Sequence, residues 1–367
     1  RVGPKRLGLA SRLTAEASTY GVGSNSREAH GMTGVETKDL EAGSLELGCG
    51  TTLHDARLGY ITRGELNARA DNAVLITTFF GGTHDNTQYL IGEAMALDPS
   101  RYFVVIANLF GNGISTSPSH GLGAEYPVVS MADNVRVQQR FLSQVFGITR
   151  LALATGHSMG AVSSYHLAAL FPEFVARLAP ICGAARISDH NRVFLDGMRG
   201  ILHADPAWAG GRYREQPRAG LITMARAWAA WPPSAHFYRH RYYETLGYTS
   251  VDDYLTRYWE ATYSGMDANN VLAQIATWQS ANIADNQLYG GDFDRALGAI
   301  TARSYVMPSV TDAYFPPEDS TLEVAGMADA SLRPIESQWG HWAGSGRHQP
   351  DTQFLDDQLR ELLSMPS

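Results

Sequence analysis

The stretch Leu151-Ala152-Leu153-Ala154-Thr155-Gly156-His157-Ser158-Met159-Gly160-Ala161-Val162 decides how this chain folds. An apolar run leads into a Gly-x-Ser-x-Gly turn, and a second apolar segment, 161–170, follows it. This order predicts a strand, a sharp turn and a helix. The glycines permit a turn too tight for side chains, and the turn lifts the Ser158 hydroxyl above the sheet. Ser158 is therefore the candidate nucleophile, close to the positive end of the helix dipole.

Other apolar runs predict a sheet whose strands alternate with helices. An antiparallel hairpin is predicted for 44–63, and β-rich runs follow at 73–80, 102–107, 151–154, 175–181, 304–308 and 333–337. Unbroken runs of this kind are typical of strands that are buried on both faces of a parallel sheet. Helices are predicted at 86–97, 133–146 and 354–363. The fold class is therefore α/β, with a mostly parallel, doubly wound sheet.

Residues 191–289 interrupt this alternation. Their spacing is helical, and they are rich in Trp, Tyr and Phe. We expect an inserted helical cap that covers the catalytic end of a core formed by residues 32–190 and 290–367. Most of its aromatic side chains are expected to form the cap's own core, and a minority to line a pocket. Residues 1–31, which are basic and rich in Gly, Ser and Ala, are interpreted as an N-terminal extension or leader.

The composition narrows the classes of partner. The chain has 367 residues and a formal net charge of −8, which disfavours nucleic acid and anionic membranes as partners. It contains no apolar run of the roughly 18 residues that a membrane-spanning helix needs. Cys49 and Cys182 lie far apart, which favours buried free thiols in a cytoplasmic protein. Zinc-type ligand spacing is absent from the sequence, so neither a metal nor a cofactor is expected.

A serine nucleophile needs a histidine base, and the base needs an acid to orient it. In a sheet of this kind the acid follows a late strand, and the histidine lies in a loop beyond the last strand. Asp312 follows the run 304–308, and His341 lies in a loop flanked by glycines. Glu318 and Asp319 lie beyond two prolines, and His348 lies in a polar stretch, so these three are weaker candidates.

An oxyanion formed at Ser158 needs two backbone N–H donors. The first is expected from Met159, which follows the nucleophile. The second is expected from the loop after the run 73–80, where Phe79 is our choice and Phe80 the alternative. The phenylalanine rings can still pack in the core, because the donor is the amide.

Six motifs in order make the chain resemble the homoserine O-acetyltransferase branch of the α/β-hydrolase superfamily over about residues 42–365. They are Tyr126-Pro127-Val128-Val129-Ser130 running into 134–138, the G-x-S-M-G turn, 210–213 with 217–221, Asp267-Ala268-Asn269, Asp312-Ala313-Tyr314-Phe315-Pro316 and Gly340-His341. The resemblance implies the α/β-hydrolase fold and a catalytic triad of Ser158, Asp312 and His341. It also raises the possibility of a homodimer.

Departures from that branch bear on the activity. By spacing from Arg226, Ser234 stands where the family has a carboxylate-binding arginine, and Trp342 stands where it has an aspartate after the histidine. Together with Trp231 and His157, these residues are expected to line the substrate pocket. The chain therefore looks closer to the ester-hydrolysing subgroup. If a carboxylate is bound after all, the candidates are the neighbouring cations Arg239 and Arg241.

The leading interpretation is a serine esterase that cleaves a small-molecule, short-acyl (acetyl-type) carboxylic ester through an acyl-enzyme on Ser158. The alternative is an acyl-CoA-dependent O-acyltransferase that acts on an alcohol other than homoserine. A non-catalytic binding module is disfavoured because all three triad positions are filled.

Overall fold

The computed structural model describes residues 36–366, so the interpretation of residues 1–31 lies outside the described residues. A single eight-stranded sheet forms its centre. The strands are β1 (Lys38–Glu46), β2 (Thr52–Arg63), β3 (Ala73–Thr77), β4 (Phe103–Ala107), β5 (Leu153–His157), β6 (Arg177–Ile181), β7 (Arg303–Val306) and β8 (Ala330–Leu332). Their spatial order is β1-β2-β4-β3-β5-β6-β7-β8, and only the pairs β1–β2 and β2–β4 within the described chain are antiparallel.

Helices lie on both faces of the sheet and in the segment between β6 and β7. They are α1 (Met131–Phe146), α2 (Met159–Leu170), α3 (Asp189–Ala204), α4 (Arg218–Trp228), α5 (Ala235–Arg239), α6 (Val251–Tyr254), α7 (Ala261–Ser264), α8 (Ala268–Gln279), α9 (Phe293–Gly298), α10 (Pro317–Gly326) and α11 (Gln349–Ser364). Side chains alternate across β3, so that Leu75 belongs to the same apolar cluster as Phe141 of α1, whereas Val74 and Ile76 belong to the cluster that contains Leu355 of α11. The predicted doubly wound α/β class is therefore confirmed.

Two predicted elements were wrong. Residues 86–97 do not form an α-helix, because the chain makes a short 3₁₀ turn, His84–Leu90, and then becomes extended at Ile91. Ala94 beyond it is left-handed, and the Asp98 carboxylate accepts its N–H at 2.9 Å, which stabilises a loop. The last strand is Ala330–Leu332 and not 333–337, where the chain keeps only single contacts with the end of β7 and the segment after it: Arg333 donates its N–H to Val306 and Ile335 donates its N–H to Pro308, both at 2.8 Å.

The segment between β6 and β7 is mostly helical and contains α3 to α9. Its aromatic side chains form one apolar cluster with Trp339 and Trp342 of the core. The boundaries of a cap at residues 191 and 289 stay a prediction. Between residues 36 and 366, no helix is both long and apolar enough to span a bilayer. Cys182 is buried, but Cys49 lies exposed in the turn between β1 and β2, so the expectation of two buried thiols was wrong for Cys49.

Glu323 on α10 is a buried carboxyl that ties two parts of the fold together. Its Oε1 accepts the backbone N–H of Ala185 at 2.7 Å, where the chain leaves β6. Its Oε2 is buried and has no hydrogen-bond partner among the described residues. Burial raises the pKa of Glu323 from its ordinary value of 4.5 to about 8. The neutral carboxyl is therefore the form that suits the fold.

Glu323→Gln should make the free energy of unfolding less dependent on pH. The folded pKa lies above the unfolded one, so stability is full below about pH 4.5 and falls as the pH rises towards 8. Each pKa unit corresponds to about 1.4 kcal/mol, so the variant should gain stability over the wild type at pH 9 and little at pH 4. Urea unfolding at both pH values measures this. Glu318→Gln, on the exposed side of α10, is the control, and an undiminished pH dependence in Glu323→Gln would contradict the assignment.

Candidate active site

Strand β5 delivers Ser158 at the carboxyl edge of the sheet in a strained backbone conformation. Ser158 has φ 58° and ψ −123°, and α2 begins at the next residue. A Cβ at Gly156 would lie 2.5 Å from the carbonyl carbon of Gly160, and one at Gly160 would lie 2.2 Å from the carbonyl oxygen of Thr77. Both glycines are therefore required by close backbone contacts, and the turn packs directly against the end of β3.

The structure brings Ser158, His341 and Asp312 into one buried chain of hydrogen bonds. The distance from Ser158 Oγ to His341 Nε2 is 2.8 Å, and that from His341 Nδ1 to Asp312 Oδ2 is 2.7 Å. The three residues are only 4–6% exposed. Asp312 Oδ1 accepts the backbone N–H groups of Tyr314 at 2.7 Å and Phe315 at 3.2 Å. This is the arrangement that a nucleophile, a base and an orienting acid require.

The loop that carries His341 is fixed to the segment before α5. The N–H of His341 donates to the carbonyl of Pro232 at 2.7 Å. Gly340 is left-handed at φ 68°, and a Cβ there would lie 2.3 Å from the same carbonyl. The Nε2–H of His157 donates to the carbonyl of His341 at 3.0 Å. Burial lowers the pKa of His157 well below its usual range, with repulsion from His341 as a second cause, so His157 is neutral and positions the loop.

Three backbone N–H groups remain available beside Ser158. Within residues 36–366, the amides of Phe79, Phe80 and Met159 donate to no protein acceptor. The loop after β3 is held to α8, because Gly81 donates its N–H to Gln274 Oε1 at 2.8 Å. Both phenylalanines line the same cavity as Ser158, so the choice between them as the second oxyanion donor stays open.

A cavity of about 740 Å³, including its part open to solvent, begins at Ser158 and His341. Of the residues expected in the pocket, His157 and Trp342 line it, but Trp231 and Ser234 do not. Ser234 is the N-cap of α5, where its Oγ accepts the N–H of Phe237 at 3.1 Å and donates to the carbonyl of Gln338 at 2.5 Å. Its hydroxyl is thus used for capping.

Trp231 lies outside the cavity because it packs against one of the residues that line it. Its ring stacks on Tyr314, with centroids 6.0 Å apart and an interplanar angle of 5°. Phe194 of α3 contacts it as well, at 4.3 Å between centroids. Trp231 therefore supports the part of the wall that Tyr314 forms.

Most of the remaining wall comes from residues of the segment between β6 and β7, none of which the sequence assigned individually to the pocket. They are aromatic or apolar, namely Trp228, Tyr258, Trp259, Tyr263, Met266 and Trp278. Tyr258 and Trp259 belong to a π-helical turn, Leu255–Glu260, that joins α6 to α7. Such turns often occur at functional sites, and here it brings adjacent rings into the cavity. An α-helical pattern does not predict this turn, because its residues face different directions from those in an α-helix.

Arg347 also lines the cavity and was missed. It carries the one permanent positive charge among the described lining residues, and none of these is Asp or Glu. Arg239 and Arg241, the candidates named for the case that a carboxylate is bound, do not supply a cation here. Neither lines the cavity, and Arg241 is exposed and pairs with Glu244.

Comparison with known proteins shows the family of this chain. The family model described as alpha/beta hydrolase fold matches residues 73–344. The chain belongs to the alpha/beta hydrolase fold family. It is 36% identical to a probable esterase of Corynebacterium glutamicum, over 88% of this chain and 94% of that protein. It is 35% identical to the ethyl acetate hydrolase of Pseudomonas veronii, over 89% of this chain and 95% of that protein.

A solved structure of an esterase is also similar to this chain. The acetyl esterase MekB superposes with a TM-score of 0.87 and 34% identity, over 90% of this chain and 97% of its own. Homoserine O-acetyltransferases are also among the relatives, both by sequence and by structure. The predicted resemblance to this branch of the α/β-hydrolases is therefore confirmed.

Proposed function

We propose that this protein is a serine esterase that hydrolyses a short-acyl, acetyl-type carboxylic ester through an acyl-enzyme on Ser158. The hydrogen-bond chain from Ser158 through His341 to Asp312, at the start of an aromatic cavity, carries the proposal. The relatives named as an ethyl acetate hydrolase and an acetyl esterase support an acetyl group as the acyl part.

The acylation step uses the triad and the backbone N–H donors beside Ser158. As Ser158 Oγ attacks the carbonyl carbon of the ester, its proton passes to His341 Nε2. Asp312 holds the histidine in the required tautomer and stabilises the imidazolium. The N–H of Met159 and that of Phe79 or Phe80 donate to the oxyanion. The C–O bond to the leaving group then breaks, and His341 returns the proton to the departing alcohol.

Deacylation repeats this chemistry with water. The oxygen of a water molecule attacks the acetyl carbonyl on Ser158, and His341 Nε2 accepts a proton from that water. The second tetrahedral intermediate collapses, Ser158 Oγ regains a proton from His341, and acetate leaves.

The cavity favours water over homoserine as the acceptor. Homoserine carries a carboxylate and an ammonium, and burying either charge without a partner costs several kcal/mol. No Asp or Glu lies among the described lining residues, so the ammonium has no counter-ion. The acyl-enzyme is therefore discharged by hydrolysis.

Incubation with ethyl acetate and a high concentration of homoserine should yield acetate and no O-acetylhomoserine. In ¹⁸O-water, one label should enter each acetate, as mass spectrometry of the products would show. Addition of acetyl-CoA in place of the ester should not acetylate homoserine. O-acetylhomoserine as the main product, from either donor, would contradict hydrolysis and favour an acyltransferase.

Three further properties remain predictions from the sequence. They are a cytoplasmic location, a homodimer and a cap bounded by residues 191 and 289. Light scattering of the purified protein measures the oligomeric state.

A further inference from the structure

The loop after His341 carries Arg347 back to the active-site cavity. Gly344 and Gly346 are both left-handed, at φ 69° and 81°. A Cβ at Gly344 would lie 2.8 Å from Leu355 Cδ1, and one at Gly346 would lie 2.7 Å from the Cγ of Tyr89. The loop is thus packed tightly against the core, and its path directs Arg347 to the cavity that Ser158 also lines.

The guanidinium of Arg347 is held in place by uncharged groups. Its Nη2 donates to the Tyr258 hydroxyl at 2.8 Å, and its Nη1 donates to Ser345 Oγ at 3.1 Å. Its Cζ lies 4.4 Å from the centroid of the Trp342 ring. These contacts orient the group and leave the remainder of its five N–H donors free for another acceptor.

No carboxylate neutralises this charge. Among residues 36–366, no Asp or Glu oxygen forms an ion pair with Arg347. One acid close in sequence to Arg347 and one in the Tyr258 turn pair with other residues. Asp351 contacts His348 at 3.0 Å, and Glu260 pairs with Arg226. Arg347 is only partly exposed, and a charge beside aromatic walls attracts an anion more strongly than one in bulk water.

We propose that Arg347 binds a carboxylate at the far end of the ester, so that the preferred substrates are acetate esters of hydroxycarboxylic acids. The ester group lies at Ser158, and the carboxylate receives the planar N–H fork of Arg347. Ester hydrolysis then gives acetate and the free hydroxycarboxylate. This inference rests on the proposed function and deepens it. The absence of an acid among the described lining residues further separates such anionic esters from zwitterionic amino-acid esters.

Three esters with one carbon skeleton test the proposal. They are 4-acetoxybutanoate, the uncharged 4-acetoxybutanamide and the zwitterionic O-acetylhomoserine. The wild type should have a kcat/KM for the carboxylate about tenfold or more above that for the amide, with O-acetylhomoserine below the carboxylate. Arg347→Gln should lose this preference, so that its ratio of kcat/KM for the carboxylate to that for the amide falls about tenfold, to near one, beyond any loss common to both esters. Arg239→Gln, at an exposed position on α5, should behave as the wild type.

Each outcome supports or overturns the binding of a carboxylate by Arg347. Equal rates of the wild type on the carboxylate and the amide would overturn the proposal. Equal losses on both esters in Arg347→Gln would show that Arg347 only supports Trp342 and Tyr258, which also overturns it. If no ester is cleaved, the proposed function fails separately. Calorimetric binding of the carboxylate and the amide to Ser158→Ala protein then tests the anion site alone, since tighter binding of the carboxylate supports it and equal binding refutes it.

Discussion

Ser158→Ala protein should fold normally and lose at least about 10³-fold in kcat for acetate esters. The loss is expected because Ser158 Oγ is the one atom in the chain of hydrogen bonds that can form the acyl-enzyme. The fold should survive because alanine is small and the neighbouring glycines, which the turn requires, are unchanged. Release of acetate from ethyl acetate, followed by pH-stat titration, measures the effect. Circular dichroism checks the fold.

Ser163→Ala is the matched control. Ser163 lies on the same helix, α2, and is also buried, but it does not line the cavity. Its activity should stay close to that of the wild type. An organophosphate should label the peptide that contains Ser158 and leave the Ser158→Ala variant unlabelled. Full turnover by clean Ser158→Ala protein would remove the basis of the proposed mechanism.

Many strands of this fold could be predicted from short stretches of the sequence. The runs at 73–80, 102–107 and 175–181 are continuous and apolar, and their strands are buried on both faces. Chain order and strand ends then brought Asp312 and His341 together with Ser158, because the carboxyl ends of parallel strands meet at one edge of the sheet. The prediction of a helix at 86–97 was wrong. Its composition suits a helix, but Ala94 and Asp98 form a turn instead.

The pocket could not be predicted in the same way. Which face of a capping helix meets Ser158 depends on packing over long distances along the chain, and a π-helical turn changes those faces. Ser234 was placed in the pocket by spacing alone, yet a serine before a short helix is most readily an N-cap. Arg347 lies in a polar loop and gives no signal by residue type. Its direction depends on the tight path past Gly344 and Gly346.

Asp312→Asn should lower kcat by about 10³-fold or more with little change in structure. The reason lies in the two oxygens of Asp312. Oδ1 accepts two backbone N–H groups, from Tyr314 and Phe315, and Oδ2 accepts from His341 Nδ1. In the variant, the backbone donors require the amide oxygen at the Oδ1 position, which turns the amide NH₂ towards His341. Nδ1 must then accept, the proton moves to Nε2, and the histidine cannot take the proton of Ser158.

Asp319→Asn, in the first turn of α10, is the control for this prediction. Asp319 is one of the two rival acids in the sequence, and it does not line the cavity or contact His341. Asp319→Asn should retain activity. Asp312→Asn should still bind substrate, so that its loss of activity falls on kcat far more than on KM. The two variants, assayed side by side on one acetate ester, decide which carboxylate orients the base. Comparable activity of Asp312→Asn and the wild type would show that the 2.7 Å contact between Asp312 and His341 has no part in the reaction.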